Sequence, residues 1–193
     1  MRVIAGSAKG VRLVKVPPGV RPVSDRAREG LFSSLGAGVE GARVLDLFAG
    51  TGALGIEALS RGADHATLVE RGGSALVTLR RNLALAAVGD RAKVEASDVG
   101  SFLRRNDKGG GPYDLVLADP PYELGSPELD ETLALLGRGW LHSNGWTVVL
   151  TRGKQSSTPV IPVDWVLARR LEYGDSLVTL YRPDPSAQSR EDQ

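Results

Sequence analysis

The chain has 193 residues, 41% of them hydrophobic and 24% charged, which suits one folded domain with a sizeable core and excludes disorder throughout. It has no cysteine, so disulfides, thiolate nucleophiles and cysteine-ligated zinc are excluded, and its two histidines, His65 and His142, lie far apart. A metal site would have to rest on carboxylates alone, and none is expected. No apolar run approaches the roughly 18 residues that cross a bilayer. The first residues, Met1 to Gly6, lack a signal-peptide core, so the chain reads as cytoplasmic.

Charge is unevenly placed. The whole chain is +1, but residues 1–35 hold seven basic side chains (Arg2, Lys9, Arg12, Lys15, Arg21, Arg26, Arg28) against Asp25 and Glu29. That end is therefore +5 and the remainder −4. A concentrated cationic end on a near-neutral protein is suited to a polyanion, because steering follows local potential rather than net charge.

In chain order, Val3-Ile4 and Val11 to Val16 flank Gly6 and Gly10, which predicts a β-hairpin ended by Pro17-Pro18. Ser24 or Asp25 caps a helix to about Leu35, with Ala27, Leu31, Phe32 and Leu35 near helical spacing, and the glycines at 36, 38 and 41 break it. From residue 42 short apolar runs alternate with amphipathic segments. The runs are Arg43–Leu47, His65–Glu70, Ala92–Ala96, Tyr113–Asp119 and Gly145–Thr151; helical patterns lie at 53–61, 72–87, 98–105 and 127–137. This alternation builds a doubly wound α/β sheet, mostly parallel. Trp165–Leu171 and Ser176–Arg182 are separated by only four residues, which predicts a C-terminal antiparallel hairpin. Residues 106–112 read as a loop and 183–193 as a disordered tail. The expected organisation is an N-terminal hairpin and helix over 1–35 and a catalytic domain over 36–182. Trp140, Trp146 and Trp165 are expected to be packing residues.

The strongest motif is Asp46-Leu47-Phe48-Ala49-Gly50-Thr51-Gly52-Ala53-Leu54-Gly55, between the first strand and its helix. Gly50, Gly52 and Gly55 satisfy G-x-G-x-x-G, which permits a tight turn and close approach of backbone to a ligand. Glu70 ends the next strand, where a carboxylate accepts the hydroxyls of a ribose. Nicotinamide dinucleotides and S-adenosylmethionine both offer that ribose. Asp46 repels a pyrophosphate and suits an ammonium group, which favours the methyl donor. Asp98, after the third strand, is placed to accept from an adenine amino group.

Asp119-Pro120-Pro121-Tyr122 follows the fourth strand, at the sheet edge where open α/β folds bind ligands. Consecutive prolines present stiff carbonyl acceptors. Asp119 and the Pro120 carbonyl can take the two hydrogens of an exocyclic base amine, with Tyr122 stacking on the base. A delocalised amine is a weak nucleophile, so positioning and electrostatics carry the reaction. A base within a helix must first be flipped out.

Asp46 to Gly55, Glu70, Asp98 and Asp119 to Tyr122 resemble the successive motifs of class I methyltransferases, whose sheet ends in a reversed hairpin. The stretch Arg2-Val3-Ile4-Ala5-Gly6, Lys9-Gly10, Arg21-Pro22, Asp25-Arg26-Ala27-Arg28-Glu29 and Leu31-Phe32 is similar to the start of the RsmD-type family, which methylates guanine N2 of small-subunit (16S) ribosomal RNA. The likeness spans residues 1–182. It implies S-adenosylmethionine as cofactor, with Glu70 on the ribose, Asp98 on the adenine and the Asp46–Gly52 loop on the methionine moiety. Phe48, Ala49, Gly50, Thr51, Gly52, Leu54, Arg71 and Val99 complete the implied cofactor set. Asp119, Pro120, Pro121 and Tyr122 would receive the guanine, and Lys9, Arg12, Lys15, Arg21, Arg26 and Arg28 the RNA. The implied substrate is an assembled or partly assembled 30S particle, with ribosomal proteins as part of the target surface and no membrane or metal. The rival readings are an adenine-N6 methyltransferase, a nicotinamide-dependent oxidoreductase, and a non-catalytic RNA-binding assembly factor.

Overall fold

The computed structural model describes residues 1–14, 23–105, 111–121, 123–143 and 145–188. Its elements are α1 (Asp25–Leu35), β1 (Arg43–Leu47), α2 (Ala53–Ser60), β2 (His65–Glu70), α3 (Gly73–Leu85), β3 (Ala92–Ala96), α4 (Val99–Leu103), β4 (Leu115–Ala118), α5 (Ser126–Leu136), β5 (Thr147–Gly153), β6 (Trp165–Tyr173), β7 (Ser176–Pro183) and α6 (Pro185–Gln188). The seven strands lie in the order β3-β2-β1-β4-β5-β7-β6. β1 to β5 are parallel, and β7 runs antiparallel to both β5 and β6. The expected doubly wound sheet with its reversed terminal hairpin is the observed one. Of the expected tail, Pro183 belongs to β7 and Pro185–Gln188 forms a helical turn, while residues 189–193 lie outside the described residues.

Strand alternation divides the interior into two cores. Val44, Leu117 and Val149 face α1, α2 and α3, where Leu31, Phe32, Ile56, Leu59, Leu79 and Leu83 are buried. Leu45, Leu47, Val116, Ala118, Val148 and Leu150 face α4 and α5, packed on Phe102, Leu133 and Trp140. Trp140 is fully buried and its Nε1 donates to the Leu103 carbonyl at 3.0 Å, so the indole is a packing residue with its polar edge satisfied.

The start of α1 follows local chemistry: the Ser24 hydroxyl accepts from the Ala27 N–H at 3.1 Å, and Gly36 ends the helix at φ +56. The N-terminal hairpin turns through Gly6 to Gly10, with Val3 N–H donating to Val11 and Gly10 N–H to Val3. This hairpin sits on the C-terminal half of α2. Glu57, fully buried, accepts from the Ile4 N–H at 2.8 Å, the Ala5 N–H at 3.1 Å and Arg61 Nε at 2.7 Å. The Ser60 hydroxyl donates to the Ala5 carbonyl and accepts from the Ala8 N–H. Gly6 (φ +81) lies so close that a Cβ there would be 1.7 Å from the Ser60 carbonyl oxygen, which only glycine avoids. Val3, Ala8 and Leu13 join the same core as α1 and α2, so the basic end is held by the sheet domain rather than hung from it.

Candidate active site

The strand order reverses between β1 and β4, which are hydrogen-bonded neighbours with Leu47 opposite Ala118. The loop after β1 and the Asp119-Pro120-Pro121 turn after β4 therefore leave the sheet side by side, at the crevice where open α/β sheets bind ligands.

On the β1 side, the turn carries Phe48 at φ +59, Gly50 at φ +56 and Gly52 at φ +79. Phe48 is the uncommon one, a bulky residue held left-handed by its surroundings. Ala49 N–H donates to the Val69 carbonyl at 3.0 Å, which ties the loop to β2. Gly55 is closely packed: a Cβ there would lie 2.7 Å from Leu68 Cδ2 and 3.0 Å from Asp46 Oδ2, so both side chains would have to shift. Asp46 is 1% exposed, and its Oδ2 accepts from the Gly55 N–H at 2.8 Å. Burial pushes its carboxyl up to about 8, with the neighbouring Asp119 and Glu70 charges adding to the rise.

Glu70 bridges two loops. Its Oε2 accepts from the Gly50 N–H at 2.8 Å and its Oε1 from the Gly72 N–H at 2.6 Å. One donor on each oxygen leaves acceptor capacity on both, an orientation suited to a vicinal diol. Asp98 plays a local part as well: its Oδ1 caps α4 by accepting from Ser101 N–H at 3.0 Å, and its Oδ2 lies 3.7 Å from Arg71 Nη1. Ala49, Thr51, Gly52, Leu54 and Val99 are buried around this crevice, and Arg71 is exposed at its edge. This set fits an adenosyl group with a cationic tail. The two backbone-pinned oxygens of Glu70 suit the ribose, whereas the charge repulsion of a pyrophosphate expected from Asp46 is not supported, because its buried carboxyl keeps its proton up to about 8.

On the β4 side, Asp119 is half-buried and burial pushes its carboxyl up to about 7. The Pro121 carbonyl accepts from the Leu124 N–H at 3.0 Å, which closes the turn, whereas the Pro120 carbonyl has no partner among the described residues. Asp119 and Pro120 thus present two acceptors beside the glycine loop, the arrangement an exocyclic amine needs. Tyr122 lies outside the described residues.

The expected RNA contacts divide. Lys9, Arg12 and Arg26 are exposed, and Lys15 and Arg21 lie outside the described residues. Arg28 must be corrected: it is fully buried, its Nη2 donates to the Arg2 carbonyl and to Asp25 Oδ1, both at 2.7 Å, and its Nη1 is 3.8 Å from Glu57 Oε2. It is an internal cation, since its position on α1 falls on the stripe with Ala27, Leu31 and Leu35.

Two contributors are invisible to motif reading. Asn82, buried on α3, accepts from the Val14 N–H at 2.8 Å and donates to the carbonyls of Val14 and Thr51, each at 3.0 Å. One amide thus clamps the end of the basic hairpin to the glycine loop. Asparagine inside an apolar-periodic helix was the only local signal. Thr151, at the end of β5, lines a cavity with Asp119, and nothing in its strand pattern marks it.

A family model described as Conserved hypothetical protein 95 matches residues 1–182. Ribosomal RNA small subunit methyltransferase D of Escherichia coli (strain K12) is 38% identical over 194 residues, covering 100% of this chain and 94% of that protein. The protein of the same name from Haemophilus influenzae is 33% identical over 94% of this chain and 93% of its own length. Among solved structures, "Putative methyltransferase yhhF from Escherichia coli" superposes with a TM-score of 0.83 at 37% identity, covering 95% of this chain and 98% of the other. The chain therefore belongs to the family described as Conserved hypothetical protein 95, and it is a methyltransferase with the class I fold.

Proposed function

We propose that this enzyme transfers a methyl group from S-adenosylmethionine to the exocyclic N2 of a guanine in 16S ribosomal RNA, on an assembled or partly assembled 30S particle. The observation that carries the reading is the placement of Asp119 and the Pro120 carbonyl immediately beside the glycine turn that Glu70 pins. The name and coverage of the Escherichia coli relative support ribosomal RNA as the substrate class. The catalytic work falls to residues 36–182, while residues 1–35 engage RNA through Lys9, Arg12 and Arg26.

The donor supplies a methyl group activated on a sulfonium. Glu70 and Asp98 would hold its adenosine, and the cationic amino acid end would favour the ionised form of Asp46 beneath the glycine turn. Asp119 and the Pro120 carbonyl would accept the two N2 hydrogens and orient the nitrogen lone pair, which lowers the barrier by orientation and by stabilising charge that grows on the amine. As the N–C bond forms and the S–C bond breaks, one N2 proton passes to the Asp119 carboxylate and on to solvent. Asp119 accepts best when ionised. With its carboxyl near 7, turnover rises with pH through that value and levels above it.

The test is transfer of labelled methyl from S-adenosylmethionine to 30S subunits lacking the modification, against free RNA, followed by nucleoside analysis. The expected product is N2-methylguanosine, predominantly on the particle. Asp119→Ala should lower kcat by about a hundredfold or more and leave donor affinity within about twofold. Label on adenine N6 would overturn the acceptor assignment. Equal loss of turnover and donor binding in Asp119→Ala would overturn the role given to Asp119.

A further inference from the structure

A cavity of about 400 Å³ opens on the side of Asp119 away from the glycine loop, within the size range of small-ligand sites, roughly 300–1,000 Å³. Three parts of the chain distant in sequence build it: the first turn of α1 with Ser24 and Arg26, the end of β5 with Thr151, and the β6–β7 turn from Glu172 to Ser176. Its outer wall is fixed to α1 at two points. Arg169 Nη1 donates to the Ser34 hydroxyl at 2.8 Å. Tyr173 occupies the space that a side chain at position 30 would fill, since a Cβ on Gly30 would lie 1.8 Å from the Tyr173 hydroxyl.

Asp119 and Thr151 stand side by side. Ala118 and Leu150 are register partners on the parallel strands β4 and β5, so the next residue on each chain is Asp119 and Thr151. Leu117 and Val149 lie in the core that faces α1, and alternation carries Asp119 and Thr151 to that same face. Thr151 is 4% exposed, and its hydroxyl is buried with no hydrogen-bond partner among the described residues. A buried hydroxyl without a partner is destabilising, and such groups in native proteins are few. This one belongs to a residue that lines the cavity, next to Asp119 across the β4–β5 register.

We propose that this cavity holds the extruded guanine and that the Thr151 hydroxyl bonds the ring nitrogen adjoining the reacting amine. The inference rests on the guanine-N2 reading and extends it to a residue outside the Asp-Pro-Pro motif. In guanine the amine lies between N1–H, a donor, and N3, an acceptor. A hydroxyl satisfies either, whereas a carboxylate serves only the donor. Asp119 is committed to the amine, so the neighbouring ring position needs a second group, and Thr151 is the adjacent one. Exposed Arg26 on the rim suits the phosphate of the same nucleotide, and the Tyr173 wall limits how far the base can slide.

The test compares wild type, Thr151→Val and Thr151→Ser for melting temperature, S-adenosylmethionine affinity, and kcat and KM on unmethylated 30S subunits. Valine keeps the shape and removes a hydroxyl that has no partner in the free protein, so its melting temperature should be unchanged or higher. Donor affinity should stay within about twofold, while kcat/KM falls about tenfold to a hundredfold and serine restores most of it. A Thr151→Val enzyme with wild-type kcat/KM would overturn the role of Thr151, as would a loss matched by lost stability or lost donor binding. Wild-type enzyme that places no label on guanine N2 would remove the functional reading and this inference together. Wild-type activity with an indifferent Thr151→Val would remove this inference alone.

Discussion

Glu57 is the point at which the basic N-terminal end is held to the catalytic domain, and its replacement by alanine has several separable consequences. The carboxylate accepts from two backbone N–H groups, those of Ile4 and Ala5, and from Arg61. It is also the buried countercharge of Arg28, whose Nη1 lies 3.8 Å away with both side chains fully buried. Removing Glu57 leaves the buried Arg28 with only the half-exposed Asp25 as countercharge, which sets a cost at the lower end of the about 3–5 kcal/mol for breaking a buried pair. The orphaned amides add to this, but water entering the vacated space recovers part of their loss, so a total of about 4 kcal/mol is expected. For a chain of this size each kcal/mol shifts the melting temperature by roughly 2–4 °C, which gives a fall of roughly 8–16 °C. Urea denaturation followed by circular dichroism measures the stability, and hydrogen exchange at Ile4 and Ala5 reports the docking. Adding Arg28→Met to Glu57→Ala should recover part of the loss, because the buried cation that has kept only Asp25 as its partner is then gone. RNA affinity should fall with the docking, since Lys9 and Arg12 lose their fixed position, while donor affinity is retained. A loss below about 1 kcal/mol, or unchanged exchange at Ile4 and Ala5, would refute the reasoning.

Two further predictions test the cofactor side. The Asp46 carboxyl sits at about 8, against 3.8 for the free group, because burial and its neighbours Asp119 and Glu70 disfavour the charge. The folded chain therefore holds a proton there that the unfolded chain releases above about pH 4, so stability falls as pH rises and levels beyond about pH 8. Asp46→Asn should flatten that slope and be the more stable protein at pH 8.5; parallel slopes for the two proteins in urea titrations at pH 5.5, 7 and 8.5 would sink the assignment. Asn82→Ala removes three hydrogen bonds that join Val14 to Thr51 and should cost about 3 kcal/mol. It should also weaken S-adenosylmethionine binding several-fold by loosening the glycine turn, and calorimetric titration showing wild-type affinity would contradict the clamp.

Much of the architecture is legible along the chain because it is encoded locally. The β1, β2 and β3 boundaries coincide with the predicted runs: β1 and β2, buried on both faces, read as near-continuous hydrophobic segments, and the partly exposed edge strand β3 is bounded by the turn residues before it. The glycine turn, the two prolines after β4 and the four-residue link between β6 and β7 are turn chemistry, which constrains the backbone wherever it occurs. Ser24 caps α1 by the same local logic. The crevice then follows from topology, because strand–helix alternation with right-handed crossovers brings the first and fourth strand ends together.

What the linear sequence leaves open is the fate of polar side chains whose partners lie far along the chain. Arg28 reads as one more cation of a basic segment, yet it is the internal partner of Glu57, 29 positions later. Glu57 and Ser60 look like the polar positions of an ordinary helix, and are buried because the hairpin from Ile4 to Ala8 lies on them. Asn82 reaches 68 residues back to Val14, and Thr151 meets Asp119 only through strand register. Sequence by itself determined the elements, their order and the location of the crevice, because periodicity and turn residues act over a few positions. Tertiary structure alone decided which charges face solvent, what holds the N-terminal end in place, and which side chains wall the cavity beside Asp119, because burial and hydrogen bonding depend on what the fold brings alongside.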